Sequence, residues 1–450
     1  MKWSVLVLGF ACATVCGQPG LRAQTPQLAA PGSVVALLQK DAEALRPLFA
    51  SPLVAAFLAA TRSLPSVEPR KIYRDAARRY YSAAEFAQLA DTSQISPIDI
   101  DEHRYYYTKY GSPLAYARAL EIASQNGFTA HRGRRLLDFG YGTIGHLRLL
   151  AEMQVHVVGV DVDSFLTAIY SEPADVGPPS HPVQLIEGRF PADPAVVARV
   201  GDGYDLIISK NTLKRGYVHP ERPADVSRLI DLGVADASFV RALYEALKPG
   251  GMVLIYNICP KQAPEPEPYI PWADGRSPFE RCVWEAAGFR VAQFDVDDGA
   301  AVRAMAAALG WDKGESPMDL DRDLFAHYTV VVRPLLDHVP AVNALGPYSA
   351  AVWAGDTCYL SGQIGKVGGT FEEEAASALT NVEQVLARVG LTFSHVSSVT
   401  VYLTDMSNYA AFNRIYSERL GPPFPARTCV AVAALPANAR LELQLTAHRF

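Results

Sequence analysis

The chain has 450 residues, with 41 basic and 47 acidic side chains, a net charge of −6, 49% hydrophobic residues and 10% aromatic residues. At roughly 150 residues per domain this length implies several folding units, and the composition excludes wholesale disorder. A mildly acidic chain lacks the overall positive field that holds many phosphates, which argues against nucleic acid as the main partner.

Met1-Lys2 precedes an apolar run from Trp3 to Cys16, then Gly17-Gln-Pro-Gly and Leu21-Arg-Ala-Gln24. One positive charge, a short apolar core and a small residue at Ala23 predict a secretory signal peptide over residues 1–23 and a periplasmic or secreted product. A misassigned start codon is the alternative, and would leave the chain cytoplasmic. The run is shorter than the ~20 residues a bilayer-spanning helix needs, and no later stretch reaches that length, so no permanent membrane span is expected.

Residues 24–99 are expected to form a helical lead-in, because Val34 to Leu58 and Ala76 to Leu89 space their apolar residues at helical intervals. From about 100 to 333, short apolar runs alternate with helical patterns, which predicts an α/β domain with a mostly parallel sheet. Residues 334–341 have the composition of a linker, and 342–450 the pattern of a separate α+β domain ending in a hairpin. Cys259, Cys282, Cys358 and Cys429 are far apart and lack metal-ligand spacing, so buried thiols are expected rather than a metal site. A Cys259–Cys282 bridge is the alternative.

Arg134 to Leu150 reads as an apolar strand, a D-x-G-x-G-x-x-G turn (Asp138, Gly140, Gly142, Gly145) and an amphipathic helix. Glycines let such a turn tighten and let a ligand approach the backbone at the positive end of a helix. A second strand, Val155 to Asp161, ends in a carboxylate about twenty residues on, placed to accept hydrogen bonds from ribose hydroxyls. With Tyr204 to Lys210 and Leu247 to Asn257 as later strands, the region 100–333 resembles class I S-adenosylmethionine-dependent methyltransferases. The resemblance implies a Rossmann-like domain, cofactor contacts at Asp138, Gly140, Gly142 and Gly145, ribose contact at Asp161, and an adenine pocket near Glu187 to Phe190. The methyl acceptor is not legible; His219, Lys210 and Tyr256 are candidates for a base, each more readily explained as a surface or core residue.

Near the carboxy terminus stand Gly346-Pro-Tyr348-Ser, Tyr359-Leu-Ser361-Gly-Gln-Ile-Gly365, Val399 to Met406, Phe412-Asn413-Arg-Ile-Tyr416, Pro425-Ala-Arg427-Thr-Cys429-Val and Leu441-Glu442-Leu. In this order they resemble the RidA (YjgF-type) family of reactive-intermediate deaminases over about 105 residues, nearly a whole domain of that family. The resemblance implies a chorismate-mutase-like α+β fold and hydrolysis of 2-imino or enamine acids to 2-oxo acids and ammonia, with no cofactor. It further implies that Arg427 clamps the substrate carboxylate, assisted by the Cys429 backbone N–H, that Glu442 handles water and protons, and that Tyr348, Ser361 and Asn413 line the pocket. Chemically, such a hydrolysis needs a cation for the carboxylate and a proton carrier for the water and the departing amine. The loop Gly365-Lys-Val-Gly-Gly lacks the proline and longer insertion common in that family, which leaves substrate choice open. The alternative is a methyltransferase whose terminal domain serves oligomerisation or ligand binding.

If Pro436 to Ala439 is a hairpin turn, Leu435 pairs with Arg440 and Ala433 with Glu442, and Arg427, Cys429 and Glu442 share one face. Arg427 then stands on the order of 20 Å from Glu442 at ~3.3 Å per residue. Either a bulge shortens that distance or neighbouring subunits complete each site, as in the trimers this family forms.

Overall fold

The computed structural model describes residues 32–177, 180–313, 317–342 and 344–449. The expected signal peptide lies outside them. The lead-in is only partly helical: Val34–Leu45 and Pro52–Ala59 are helices capped by Ser33 and Ser51, whose hydroxyls accept from Ala36 and Val54 N–H groups. Beyond them the chain forms a small antiparallel sheet of β1 (Arg70–Arg74), β2 (Tyr80–Tyr81) and β3 (Ser96–Ile100). Of the segment Ala76 to Leu89 only Ala83–Phe86 is helical, since tyrosines 80 and 81 pair with β1 instead.

The central sheet contains β4 (Arg135–Phe139), β5 (His156–Asp161), β6 (Gln184–Glu187), β7 (Tyr204–Lys210), β8 (Leu247–Cys259), β9 (Arg290–Asp297) and β10 (Phe325–Val332). Their order is β6-β5-β4-β7-β8-β10-β9; β4 to β8 run parallel, and β10 is antiparallel to both neighbours. Adjacent residues point to opposite faces, so Leu136 and Leu206 enter one core with the amino-terminal helices, while Leu137 and Ile207 enter another with Phe239 and Trp284. The order reverses direction at β4, which opens a crevice beyond the carboxyl ends of β4, β5, β7 and β8.

The expected linker is mostly β-structure. Arg333 bonds the carbonyls of Tyr244 and Leu247, and β11 (Leu336–Pro340) follows almost at once as an edge of the third sheet. With β12 (Ser349–Ala354), β13 (Thr357–Ile364), β14 (Val396–Leu403), β15 (Ala426–Ala431) and β16 (Leu441–His448), the order is β11-β12-β13-β16-β14-β15. Helices Phe371–Arg388 and Tyr409–Leu420 cover one face, burying Leu379, Val382, Leu386, Phe412 and Tyr416 against it. A capping box, Thr370 with Glu373, starts the longer helix.

The terminal hairpin does not form. β14 lies between β15 and β16, parallel to the first and antiparallel to the second. Val399, Val401 and Leu403 of β14 supply a buried row that pairs with Leu445, Leu443 and Leu441, and this apolar match outweighs the short local connection.

Candidate functional site

Two regions concentrate chemistry, one in each of the larger sheets. In the third sheet, Arg427 pairs with the buried Val399 and therefore leaves β15 on the helix-covered face. Its Nη2 donates to Asn413 Oδ1 at 2.6 Å, and its guanidinium stands 4.8 Å from the Tyr416 ring centroid, 5.7 Å from Phe412 and 5.8 Å from Tyr409. Tyr409 and Asn413 are four apart on one helix, so both reach the same strand residue. An aromatic cage and two neutral oxygens, Asn413 Oδ1 and the Tyr409 hydroxyl, hold the cation in place without cancelling its charge. Cys429 follows on the same face; burial pushes its thiol up, away from thiolate chemistry. β15 is the edge strand, with one side of its backbone unpaired.

Glu442 is elsewhere. It pairs with Tyr402 and Ile364 and projects from the opposite, open face, since Leu441 and Leu443 on either side of it are buried under the helices. Arg427, Cys429 and Glu442 therefore do not share a face. The inserted strand β14 reverses the parity that a direct hairpin would have imposed. The Glu442 carboxylate lies over Gly362, where any Cβ would collide with it. Ser361 and Gly362 form a bulge opposite the single residue Gln444, and the Ser361 hydroxyl donates to the Ser349 carbonyl at 2.6 Å. Tyr348, next along from Ser349, is 46% exposed, and its hydroxyl accepts from the Leu345 N–H. Burial raises the Glu442 carboxyl above the ordinary glutamate value. The predicted residues thus fall apart, with Arg427, Asn413 and Cys429 by the helix-covered face, Glu442 on the open one, Ser361 in the bulge beside Gly362 and Tyr348 next to Ser349. The aromatic cage and the bulge glycine were not anticipated, although Tyr409 and Asn413 at i, i+4 were a usable signal.

The second region is a cavity of about 1160 Å³ at the crevice of the central sheet. Gly140 and Gly142, both at positive φ, line it together with Asp161, Lys109, Tyr110, Lys210 and Lys214. A Cβ at Gly140 would strike Thr212, and one at Gly142 would press on Tyr110 at 3.0 Å, so both positions need glycine. Asp161 accepts from the Gly142 and Asp163 N–H groups at 3.4 and 3.0 Å, and burial pushes its carboxyl up to about 6.

Asp138 and Gly145, expected at the cofactor, do not line this cavity. Asp138 is fully buried, 2.5 Å from His146 Nε2, and that imidazole stacks on Tyr116 at 3.5 Å between centroids. Burial holds His146 below its ordinary value, in the neutral form whose Nε2–H donates to Asp138. A Cβ at Gly145 would press on Pro113 at 2.8 Å. Glu187 lines a separate cleft of about 410 Å³. Of the suggested bases, Lys210 reaches the cavity, Tyr256 is buried with its hydroxyl on Asp298, and His219 is bonded to Asp236 at the surface.

Among the described residues Cys259, Cys282, Cys358 and Cys429 are all free thiols; Cys282 is exposed rather than buried. No helix of these residues is long and apolar enough to cross a membrane.

The six-stranded sheet backed by two helices forms an α+β module with a caged arginine on one face and a glutamate on the other. Residues 339–449 match the model of the endoribonuclease L-PSP family. The same part of the chain is 39% identical over 124 residues to the 2-iminobutanoate/2-iminopropanoate deaminase of Capra hircus, covering 26% of this chain and 90% of that protein. It is 38% identical to the Homo sapiens protein of the same name, with the same coverage. The crystal structure of yeast Mmf1 is 35% identical, with 26% of this chain and 99% of that one covered and a TM-score of 0.25. Through this domain the chain belongs to the L-PSP family, the RidA/YjgF proteins.

Proposed function

We propose that the carboxy-terminal domain hydrolyses 2-imino or enamine acids to 2-oxo acids and ammonia, in an assembly where one chain supplies Arg427 and another Glu442. The observation that carries this reading is the caged guanidinium, a permanently charged fork presented beside an unpaired strand edge. Arg427 binds the substrate carboxylate in two-pronged fashion, and Asn413 fixes the plane of the fork. Glu442 accepts a proton from water as the water oxygen bonds to the imine carbon. The carboxyl then returns that proton to nitrogen, giving a carbinolamine; Glu442 next takes the proton of the new hydroxyl and passes it to the amine, so that C=O forms as the C–N bond breaks and ammonia leaves the 2-oxo acid. Relatives named as iminobutanoate and iminopropanoate deaminases support the substrate class. Homo-oligomerisation, a trimer by family resemblance, is part of this proposal. An amino-acid oxidase coupled to the full chain, with imine loss followed by semicarbazide trapping, tests it. Wild type accelerates decay and Arg427→Ala does not; equal rates with and without wild-type protein defeat the reading.

A second reading concerns the central sheet, because its cavity offers a glycine turn and a buried carboxylate in the order a nucleoside cofactor requires. S-adenosylmethionine bound there would supply an electrophilic methyl group. Gly140 and Gly142 would admit it against the backbone, and Asp161 would accept from its ribose hydroxyls. Calorimetric titration with S-adenosylhomocysteine tests this; no heat at millimolar ligand rejects it. Export to the periplasm or beyond remains a proposal from the amino-terminal sequence, tested by sequencing the mature amino terminus.

A further inference from the structure

The charges on the wall of the central cavity do not balance. Asp163 is already matched, with Lys109 at 2.6 Å and the Tyr110 hydroxyl donating to it at 2.7 Å. Asp161 then faces Lys210, Lys214 and Arg228. Lys214 donates to the carbonyls of Ile258 and Trp272, at 2.5 and 3.1 Å, which satisfy its N–H groups without neutralising its charge. Arg228 has Asp225 at 3.9 Å, an exposed pair worth little.

Lys210 is the sharpest case. It is 8% exposed at the end of β7, its Nζ stands 5.2 Å from the Tyr116 ring centroid, and it lines the cavity with no carboxylate in salt-bridge contact. Asp138 attracts it from a distance, with Oδ2 held by His146 and Oδ1 without a hydrogen-bond partner, but makes no salt-bridge contact with it. Burial pulls the ammonium down to about 8, so at pH 7 it is charged in most molecules. A buried, unpaired cation is costly until a ligand completes it. S-adenosylmethionine carries net positive charge and would enlarge the excess. A volume of about 1160 Å³ also exceeds the ~300–1,000 Å³ of pockets for one small ligand.

We infer that the central cavity binds a small organic carboxylate on Lys210, beside the nucleoside cofactor. Its role as second ligand rests on the cofactor reading above; the anion site does not. The chain's other domain is proposed to release 2-oxo acids, which makes 2-oxobutanoate the probe of choice.

The experiment is calorimetric titration of full-length Arg427→Ala protein, which lacks the carboxy-terminal carboxylate clamp, with 2-oxobutanoate, before and after saturation with S-adenosylhomocysteine. One site per chain is expected, weakened about tenfold or more when Lys210→Met is added and preserved when Lys210→Arg is added instead. Lys210→Gln repeats the test should the methionine variant not fold. Absence of binding, or binding indifferent to both neutral substitutions, overturns the inference while leaving S-adenosylhomocysteine binding as a separate result. Lys210-dependent 2-oxobutanoate binding without any S-adenosylhomocysteine binding supports the anion site and removes the cofactor reading.

Discussion

Arg427 and Glu442 are both aligned against β14, three residues apart along it, yet they leave the sheet on opposite faces, because their partners Val399 and Tyr402 do. No side-chain rotation brings a guanidinium and a carboxylate together through a hydrogen-bonded sheet. The proposed site, which uses both, would therefore need two copies of the chain. Arg427→Ala and Glu442→Gln proteins should each be inactive alone. After denaturation and refolding together in equal amounts, about a quarter of wild-type deaminase activity should return, since random neighbours pair an intact Arg with an intact Glu in one interface of four. Recovery no greater than the sum of the single variants would place both groups in one chain's site.

Gly362 carries a more local prediction. A methyl group there would occupy the position of the Glu442 carboxylate, which must swing away. Displacing a proton-transfer group by about 1 Å costs on the order of 10²-fold in rate. Gly362→Ala should therefore lose most of its kcat with little change in KM, the carboxylate clamp on Arg427 being untouched. Steady-state kinetics on the oxidase-coupled assay decide it, and a change confined to KM contradicts it.

The raised carboxyl of Glu442 sets the sign of two pH effects. As a base it works only when ionised, so the acidic limb of the rate profile should titrate above the ordinary glutamate value. Burial disfavours the charged form, so the stability this group contributes is fully present below its unfolded value and is lost as pH rises through the folded one. Glu442→Gln should accordingly be inactive but melt no lower than wild type at pH 7. A drop of several degrees in Tm would show that the carboxylate is structural.

Asp161, pushed up to about 6 by burial, predicts the behaviour of the other site. Its carboxylate accepts ribose hydroxyls best when ionised. Affinity for S-adenosylhomocysteine should fall about tenfold per pH unit below 6 and level off above it. Asp161→Asn should bind weakly with no such pH dependence. Calorimetry across pH 5–8 measures both, and a flat wild-type profile counts against Asp161 as the ribose contact.

Much of this was legible in the chain itself. Apolar runs located four strands of the central sheet, those that begin near Arg134, Val155, Tyr204 and Leu247, because a buried strand leaves an apolar run in the sequence. The turn at Gly140 and Gly142 was legible for a similar reason, since positive φ and close approach demand glycine. Tyr80 and Tyr81 were misread as helical because strand pairing with β1 is not a local property.

What the order of residues determined was which groups are available: an arginine, a glutamate, and the asparagine, serine and tyrosine around them. Which of them can meet was decided by tertiary structure alone. Inserting β14 between β15 and β16 turned a presumed shared face into two faces, and packing Asp138 against His146 withdrew it from the cavity that its motif suggested. Side-chain direction depends on the parity of strand pairing and on what fills the space behind a turn, and both are set by contacts between residues distant along the chain.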